Sequence, residues 1–354
     1  MGDPCGIGPE VVVRSLADEK IRSLAQFRVY GFSEPMVRAA ELIGVEPFWW
    51  RVGEGGTAAL AAADSGVHRV MLIEPEVKLP SSLDCDARRS TAAGGEASFQ
   101  FVESALAAAM RPQDDPLAVD GVVTAPISKA AWHLAGRGRW PGHTELVSSR
   151  MNAKNTRMMF VAPRLRVMLV TAHIPLYEIR NVLTIGRVHD TISLADEACR
   201  SLGVASPRIA VCGLNPHAGE DGLMGDEEKR LVAPAISLAQ SQGVDVQGPF
   251  PGDTIFNAAV NGRYDIVIAM YHDQGLIPVK LLAFDSAVNM TAGLPRIRTS
   301  PDHGTAFDIA WQGKADAGSM SAAIRLAAQA ARTAKSGGSI KEGGPMSRTS
   351  AQKS

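Results

Sequence analysis

Three histidines in this 354-residue sequence stand just past apolar runs that are typical of buried strands. The runs cover 166–171, 208–214 and 264–270, and the histidines that follow them are His173, His217 and His272. Because ligand crevices of parallel α/β sheets lie at the carboxyl ends of the strands, the three imidazoles could converge. A single such histidine is more often a hydrogen-bonded core residue, and only the repeated placement favours a metal site.

Three imidazoles that leave open positions are typical of a catalytic divalent cation. Zinc, cobalt or nickel suits nitrogen ligands, whereas magnesium prefers carboxylates. Cationic side chains then follow His272, in a segment too rich in glycine and proline to form one helix: Lys280, Arg296 and Arg298, with Asn289 between them. The guanidinium group matches phosphate or carboxylate oxygens with two parallel hydrogen bonds. The pattern indicates an anionic small molecule beside a metal.

Other polar residues fit such a site less specifically. The segment 140–145 places His143 and Thr144 in a turn, where they could contact a substrate, although a lone histidine there is more often a capping or surface residue. Asp253 could orient a ligand or act as a base, but a helix N-cap is its more common role. Lys129 either contacts a ligand phosphate or begins a solvated helix face.

Alternating predicted strands and helices position these residues. Strands at 27–31, 69–73 and 120–124 alternate with helices such as 98–110, which predicts a doubly wound, largely parallel α/β sheet. The length of the chain favours two domains. The glycine-rich start at 2–10 either offers backbone N–H groups to an anion or simply begins a helix, and it lacks the GxGxxG pattern of a Rossmann domain.

Composition excludes several classes of function. Hydrophobic residues make up 45% of the chain, charged residues 21%, and the formal net charge is −1. These values indicate a soluble globular protein and argue against nucleic acid or a membrane as the main partner. The four cysteines have no CxxC spacing and are interpreted as incidental thiols of a cytoplasmic protein. Residues 335–354 lack apolar periodicity and are predicted to form a disordered tail.

Eight segments in order resemble the 4-hydroxythreonine-4-phosphate dehydrogenase (PdxA) family. They are GDPCGIGPE at 2–10, VTAPISK at 123–129, PGHTE at 141–145, VTAHIPL at 170–176, GLNPHAGE at 213–220, PGDTIF at 251–256, YHDQGLIPVK at 271–280 and LPRIRTSPDHGTAFDIAWQGKAD at 294–316. One departure is that a strand usually precedes the first segment in the family, whereas Met1 stands where that strand would end.

The resemblance implies a fold and an assembly. The fold is α/β, with two α/β/α domains and a cleft between them, similar to isocitrate and isopropylmalate dehydrogenases rather than to a Rossmann domain. Residues 1–128 with 304–334 would form the nucleotide-side domain, and 129–303 the metal, substrate and dimer side. The family resemblance also implies a homodimer with the active site at the subunit interface and metal ligands from both chains.

Site residues follow from the resemblance by position. The implied ligands of a zinc, cobalt or magnesium ion are His173, His217 and His272. The implied substrate contacts are His143, Thr144, Lys280, Asn289 and Arg298. The implied contacts of NAD or NADP are His303, Gly304, Thr305, Ala306 and Asp308. The general base stays open between His143 and Asp253.

The implied reaction is the NAD- and metal-dependent oxidation and decarboxylation of 4-phosphohydroxy-L-threonine. It yields 3-amino-2-oxopropyl phosphate in pyridoxal 5'-phosphate (vitamin B6) biosynthesis. Within the same class, the substrate could instead be another phosphorylated sugar acid or a cis-dihydrodiol carboxylate. Outside it, the alternatives are a three-histidine metal-dependent hydrolase or aldolase without NAD, and a non-catalytic metabolite-binding protein.

Overall fold

The computed structural model describes residues 1–53 and 69–337. The strands in these residues are β1 Phe27–Tyr30, β2 Trp50–Gly53, β3 Val70–Glu74, β4 Gly121–Val123, β5 Arg157–Ala162, β6 Leu165–Leu169, β7 Ile209–Cys212, β8 Val246–Phe250, β9 Ile266–Ala269, β10 Val288–Ala292 and β11 Ile297–Pro301. The α-helices are α1 Gly8–Ala17, α2 Glu19–Arg22, α3 Ser33–Ile43, α4 Ala92–Ala109, α5 Lys129–Leu134, α6 His143–Arg150, α7 Ile179–Val182, α8 Ile185–Ser201, α9 Ala233–Ser241, α10 Gly252–Val260, α11 His272–Ala283 and α12 Gly318–Lys335.

Two sheets organise the chain and confirm the predicted α/β class. One has three strands in the order β1-β3-β2, and the other has eight in the order β4-β11-β10-β5-β6-β9-β7-β8. The neighbours β6, β9, β7 and β8 are mutually parallel, whereas β5 and β10 pair antiparallel with both of their neighbours. The β5–β6 pair is antiparallel because only two residues join the two strands, too few for the crossover that a parallel pair needs.

Helices cover both faces of the parallel strands. Every residue of β7 and β9 is buried. Alternate residues such as Ile266 and Ile268 pack with α8, α9 and α12, while Val267 and Ala269 pack with α10 and α11. This burial on two sides explains why these strands read as continuous apolar runs in the sequence.

A second core surrounds the three-stranded sheet. Helices α1, α3 and α4 pack there against β1 and β3, and Ile324 of α12 joins them. The neighbouring Ala323 belongs to the first core, so α12 connects the two. A cavity of about 770 Å³ lies between β1 and β4 and is lined by α1, α4 and α12. The division into two domains stays a prediction.

Helix α12 ends at Lys335, and most of the predicted tail, 338–354, lies outside the described residues. Across 1–53 and 69–337, none of the helices combines the length and the hydropathy that crossing a membrane requires.

Candidate active site

Three neighbouring parallel strands deliver the predicted metal ligands to one edge of the large sheet. Strand β9 lies between β6 and β7 and is parallel to both. His173 follows β6, His217 follows β7, and His272 follows β9 as the first residue of α11. The side chains therefore leave from the same edge, where a crevice is expected.

The structure brings two of these imidazoles together. The ring centroids of His173 and His272 are 5.5 Å apart. Burial lowers the pKa of His173, and the neighbouring Lys129 and His272 lower it further, which favours the neutral ring that binds metals. Nδ1 of His272 is 2.7 Å from Oδ1 of Asp273. This carboxylate can fix the ring and leave the other nitrogen free, as partners of metal-bound histidines do.

His217 lies in an unusual turn after β7. Its φ is 52°, and the next four residues also have positive φ. The buried carboxylate of Glu228 fixes the entry to this turn, because it accepts backbone hydrogen bonds from Leu214 and Asn215, each of 2.7 Å. Among the residues that the structure describes in one chain, no three His, Cys, Asp or Glu side chains are grouped closely enough to hold a metal. The three-histidine site thus stays a prediction.

Arg298 on β11 is the most deeply buried cation in this region. It is 2% exposed. Its Nη2 donates a 2.7 Å hydrogen bond to Oγ1 of Thr124, and its Nη1 donates one of 3.3 Å to Oγ1 of Thr291. Its Nε has no hydrogen-bond partner among the residues that the structure describes. We call Arg298, Thr124, Thr291, His143 and Asn289 the cradle.

The guanidinium of Arg298 lacks a counter-charge. Burial lowers the pKa of Arg298 to about 10, so the side chain remains charged at neutral pH. Glu145 is the acidic group that acts on it, but no carboxylate in the described chain forms an ion pair with it. Burying an unpaired ion costs roughly several kcal/mol, even after the surrounding protein relaxes. An anionic ligand would supply the missing partner.

Two more polar side chains of the cradle have unpaired atoms. Nε2 of His143 and Oδ1 of Asn289 are buried without a hydrogen-bond partner within 1–53 and 69–337. His143 starts α6, and its ring lies edge-on to Trp132 with the centroids 5.7 Å apart. Burial lowers the pKa of His143 well below 6.5, and Arg298, the chain's amino group and Lys129 lower it further. At neutral pH this imidazole is therefore uncharged.

Lys129 and Glu145 connect the cradle with the histidine pair. The charge of Lys129 lowers the pKa of both His143 and His173, and Glu145 raises the pKa of both His173 and Arg298. Both side chains flank Gly142, whose added Cβ would lie 3.3 Å from Cε of Lys129 and 3.5 Å from Oε2 of Glu145. The cradle and the histidine pair therefore form one continuous electrostatic environment.

Sequence reasoning left these connecting residues open or unnamed. Lys129 had two interpretations, Glu145 appeared only inside the 141–145 segment, and Thr124 was not singled out. A signal existed for Thr124 and Lys129, because both belong to the 123–129 segment that follows β4 directly. Local sequence does not show that β4 pairs with β11, and it is this pairing that places Val122 beside Arg298.

The other predicted substrate and base residues are more dispersed. Nζ of Lys280 is 2.5 Å from Oδ2 of Asp302 and donates a 3.0 Å hydrogen bond to its backbone oxygen. Thr144 is the half-buried second residue of α6, and Asp253 is exposed in the first turn of α10. Their roles stay predictions.

The predicted nucleotide loop, 303–308, packs against the start of the chain. The backbone N–H of Ile7 donates a 2.9 Å hydrogen bond to the oxygen of Thr305. A Cβ added to Gly304 would meet nothing within 4 Å, and Ala306 has a φ of 40°. His303 has a buried Nε2 without a partner, whereas Asp308 is exposed. The loop thus has free space beside Gly304 and an unpaired ring nitrogen on His303. Its role in nucleotide binding stays a prediction.

Comparison with known proteins places the chain in a family. The family described as PdxA, pyridoxal phosphate biosynthetic protein, matches residues 45–327. D-threonate 4-phosphate dehydrogenase of Salmonella typhimurium is 43% identical, over 94% of this chain and 97% of that protein. 4-Hydroxythreonine-4-phosphate dehydrogenase of Geobacter metallireducens is also 43% identical, over 96% of each chain.

A solved structure agrees with these relatives. The crystal structure of 4-hydroxythreonine-4-phosphate dehydrogenase from Klebsiella pneumoniae has a TM-score of 0.79 and 41% identity, covering 94% of this chain and 98% of that one. The chain therefore belongs to the PdxA family and is an oxidoreductase.

Proposed function

We propose that the protein is an NAD-dependent, divalent-metal-dependent dehydrogenase that oxidises and decarboxylates 4-phosphohydroxy-L-threonine in pyridoxal phosphate biosynthesis. The observation that carries the proposal is the buried, unpaired guanidinium of Arg298. A phosphate group presents several anionic oxygens and suits a guanidinium that can form two parallel hydrogen bonds. Relatives that act on phosphorylated four-carbon acids, according to their names, support the same ligand chemistry.

The cradle would hold the anionic end of the substrate. Arg298 is oriented by Thr124 and Thr291, so it is pre-organised before the ligand arrives. The unpaired atoms of His143 and Asn289 offer further hydrogen bonds. In the free protein Lys280 is paired with Asp302. On ligand binding it would exchange this ion pair for a contact with the phosphate.

The histidine edge fits a divalent cation. His173 and His272 approach each other, and Asp273 orients the ring of His272. The nitrogen donors favour zinc or cobalt, although magnesium is also a candidate. A divalent cation bound there would polarise the substrate hydroxyl and lower its pKa. The chain's own contribution is to keep His173 neutral and available at neutral pH.

A second copy of the chain would complete the ligand set with its His217. Helix α11, which begins at His272, exposes large apolar side chains: Ile277, Leu281, Leu282 and Phe284. Tyr177, shortly after His173, is 88% exposed. Apolar side chains concentrated on one exposed surface typically mark protein–protein contacts. We therefore propose a homodimer that buries this surface and brings the histidine edges of the two subunits together.

The reaction follows from the substrate's own atoms. Removal of hydride from C3 to NAD⁺, with loss of the hydroxyl proton, produces a ketone β to the C1 carboxylate. Loss of CO₂ and uptake of one proton then give 3-amino-2-oxopropyl phosphate. The base that removes the hydroxyl proton stays open between the neutral His143 and the exposed Asp253. Residues 303–308 would bind the adenosine side of NAD.

D-Threonate 4-phosphate is the second candidate substrate. A relative with this named activity is as similar to the chain as the hydroxythreonine phosphate enzyme is, at 43% identity. The two molecules share the carboxylate, the C3 hydroxyl and the phosphate, and the C2 amine of one is a hydroxyl in the other. The same cradle and histidine edge would serve both. Decarboxylation would then yield dihydroxyacetone phosphate.

A direct assay separates the candidates. Both substrates are mixed with the protein and NAD⁺ or NADP⁺, with zinc, cobalt or magnesium or with a chelator, and the absorbance of reduced nicotinamide is followed. We expect metal-dependent reduction with a higher kcat/KM for 4-phosphohydroxy-L-threonine. A higher kcat/KM for D-threonate 4-phosphate would reassign the substrate. Product without nicotinamide reduction would instead indicate a hydrolase or aldolase.

A further inference from the structure

Two cysteines that are far apart in the sequence are neighbours in the structure. Cys5 lies in the loop before α1, and Cys85 begins the 3-10 helix Cys85–Ala87. Sγ of Cys5 is 3.3 Å from the backbone oxygen of Asp84 and 3.6 Å from Oγ1 of Thr91. Because Asp84 directly precedes Cys85, this contact places the two thiols near each other, and each affects the pKa of the other. Nothing in the sequence indicated this contact.

Access and surroundings distinguish this pair from the other cysteines. Cys85 is partly exposed, so a small oxidant can approach the pair at this thiol, whereas Cys5 is fully buried. Cys199 and Cys212 are each buried in the core, where burial raises the pKa of both thiols to about 12. They belong to different core clusters and have no thiol neighbour among the residues described.

We propose that Cys5 and Cys85 form an oxidisable dithiol, which a hydroperoxide converts into a disulfide between the amino-terminal loop and the 3-10 helix. One thiolate attacks the peroxide oxygen, and the O–O bond breaks to leave a sulfenic acid and water or an alcohol. The second thiol attacks that sulfenic sulfur and expels water. The two sulfurs lose two electrons in total, and the peroxide gains them.

The two thiols influence each other in opposite directions, which favours the thiolate on Cys5. The Cys85 thiol lowers the pKa of Cys5, which burial and the carboxylates of Asp3 and Asp84 raise. The pKa of Cys85 is raised instead, chiefly by its interaction with Cys5 and then by burial, and the guanidinium of Arg38 offsets only part of this rise. A shared proton between two thiols leaves one sulfur nucleophilic and the other ready to react with it.

The disulfide would act on the predicted nucleotide loop. The loop that carries Cys5 continues to Ile7, which donates a hydrogen bond to Thr305. Packing is so close there that a Cβ added to Gly6 would lie 2.8 Å from the oxygen of Thr305. Drawing Cys5 towards Cys85 therefore displaces the surface that supports residues 303–308. This consequence rests on the proposed function, whereas the formation of the disulfide does not.

The test uses the intact protein. Reduced protein is treated with hydrogen peroxide, its free thiols are counted, and it is digested with trypsin under non-reducing conditions. We expect two of the four thiols to disappear and peptide 1–14 to become joined to peptide 79–88. Dithiothreitol should restore both thiols. Cys85→Ser should abolish the cross-link, and the matched control Cys199→Ala should retain it.

Other outcomes contradict the proposal. A folded protein that keeps Cys5 and Cys85 reduced, or that oxidises them singly to sulfinic acids without a cross-link, would overturn it. A cross-link between any other pair would do the same. The coupling has its own readout, which is the KM for NAD⁺. We expect the KM for NAD⁺ to rise when the wild-type protein is oxidised and to return to its original value after dithiothreitol. In Cys85→Ser, peroxide should leave this KM unchanged.

Discussion

The cradle and the histidine edge differ in how much of each a single chain completes. The cradle is internal: Arg298 is 2% exposed, and its hydrogen bonds come from other segments of the same chain. The histidine edge is open, since His173 and His217 are exposed and His217 does not join the other two. In the proposed function, one subunit would thus hold a complete anion site beside an incomplete metal site.

The two regions differ in how strongly they destabilise the free protein. A buried cation without a counter-charge destabilises the free protein, and the surrounding fold must offset that cost. Exposed imidazoles and apolar side chains on α11 cost less, because water solvates the rings and a second copy can cover the rest. The cradle is therefore sensitive to single substitutions within one chain, and the edge is sensitive to assembly.

The largest expected effect is at the histidine edge. His272→Ala should reduce turnover to background and lower the amount of metal bound, because two of the predicted ligands come together at this ring. His189→Ala is the control, since His189 bonds to Gln242 away from the edge. Metal content and nicotinamide reduction are measured for both. Normal turnover of His272→Ala after chelation would exclude the metal role.

The next effect is at the cradle. Arg298→Met should lower kcat/KM by about 30- to 3000-fold, the range for losing one partner of a buried charged contact, mainly through a higher KM. The unliganded variant should melt at the same or a higher temperature, because the unpaired charge is gone. Arg296→Met, in the same segment, should change little. An unchanged KM in Arg298→Met would contradict the phosphate role.

A smaller effect is expected where the two regions meet. Lys129→Met removes a charge that lowers the pKa of His143 and His173. The acidic limb of the pH–rate profile should therefore move to higher pH, and kcat/KM at neutral pH should fall by about tenfold or less. The control is Lys154→Met, whose side chain lies outside the site. A profile that superimposes on the wild type would separate the cradle from the edge electrostatically.

The smallest effect concerns stability. The pKa of His143 in the folded protein lies well below 6.5, so between the two values only the unfolded chain binds the proton. The contribution of neutral His143 to stability is complete above about pH 6.5 and is lost as the pH falls. His143→Asn should therefore weaken the acid-induced drop in the free energy of unfolding. Equal slopes in the two proteins would count against a buried neutral imidazole.

Part of this arrangement was predictable from local sequence. The apolar runs before His173, His217 and His272 correspond to β6, β7 and β9, because strands buried on both faces have a recognisable composition. The predicted helix 98–110 corresponds to α4, which begins earlier, at Ala92, and ends at Ala109. The α/β class followed from the same alternation.

Long-range contacts were not predictable in that way. The pairing of β4 with β11 places Thr124 against Arg298, and the antiparallel β10 places Thr291 there, but neither pairing leaves a local pattern. The approach of Cys5 to Cys85 is of the same kind. The resemblance named most of the site residues, whereas the burial and the missing partners of Arg298 emerged only from the fold.

Subunit mixing tests the central claim most directly. In this account Arg298→Met has little activity at substrate concentrations well below its raised KM, His217→Ala loses turnover, and each leaves the other's residue intact. If one subunit supplies the cradle and its partner supplies His217, a mixed dimer contains one intact site. Random reassociation should then restore about a quarter of the wild-type rate, since half of the dimers are mixed and each has one of two sites. A mixture that stays as inactive as its components would contradict a site shared between two subunits.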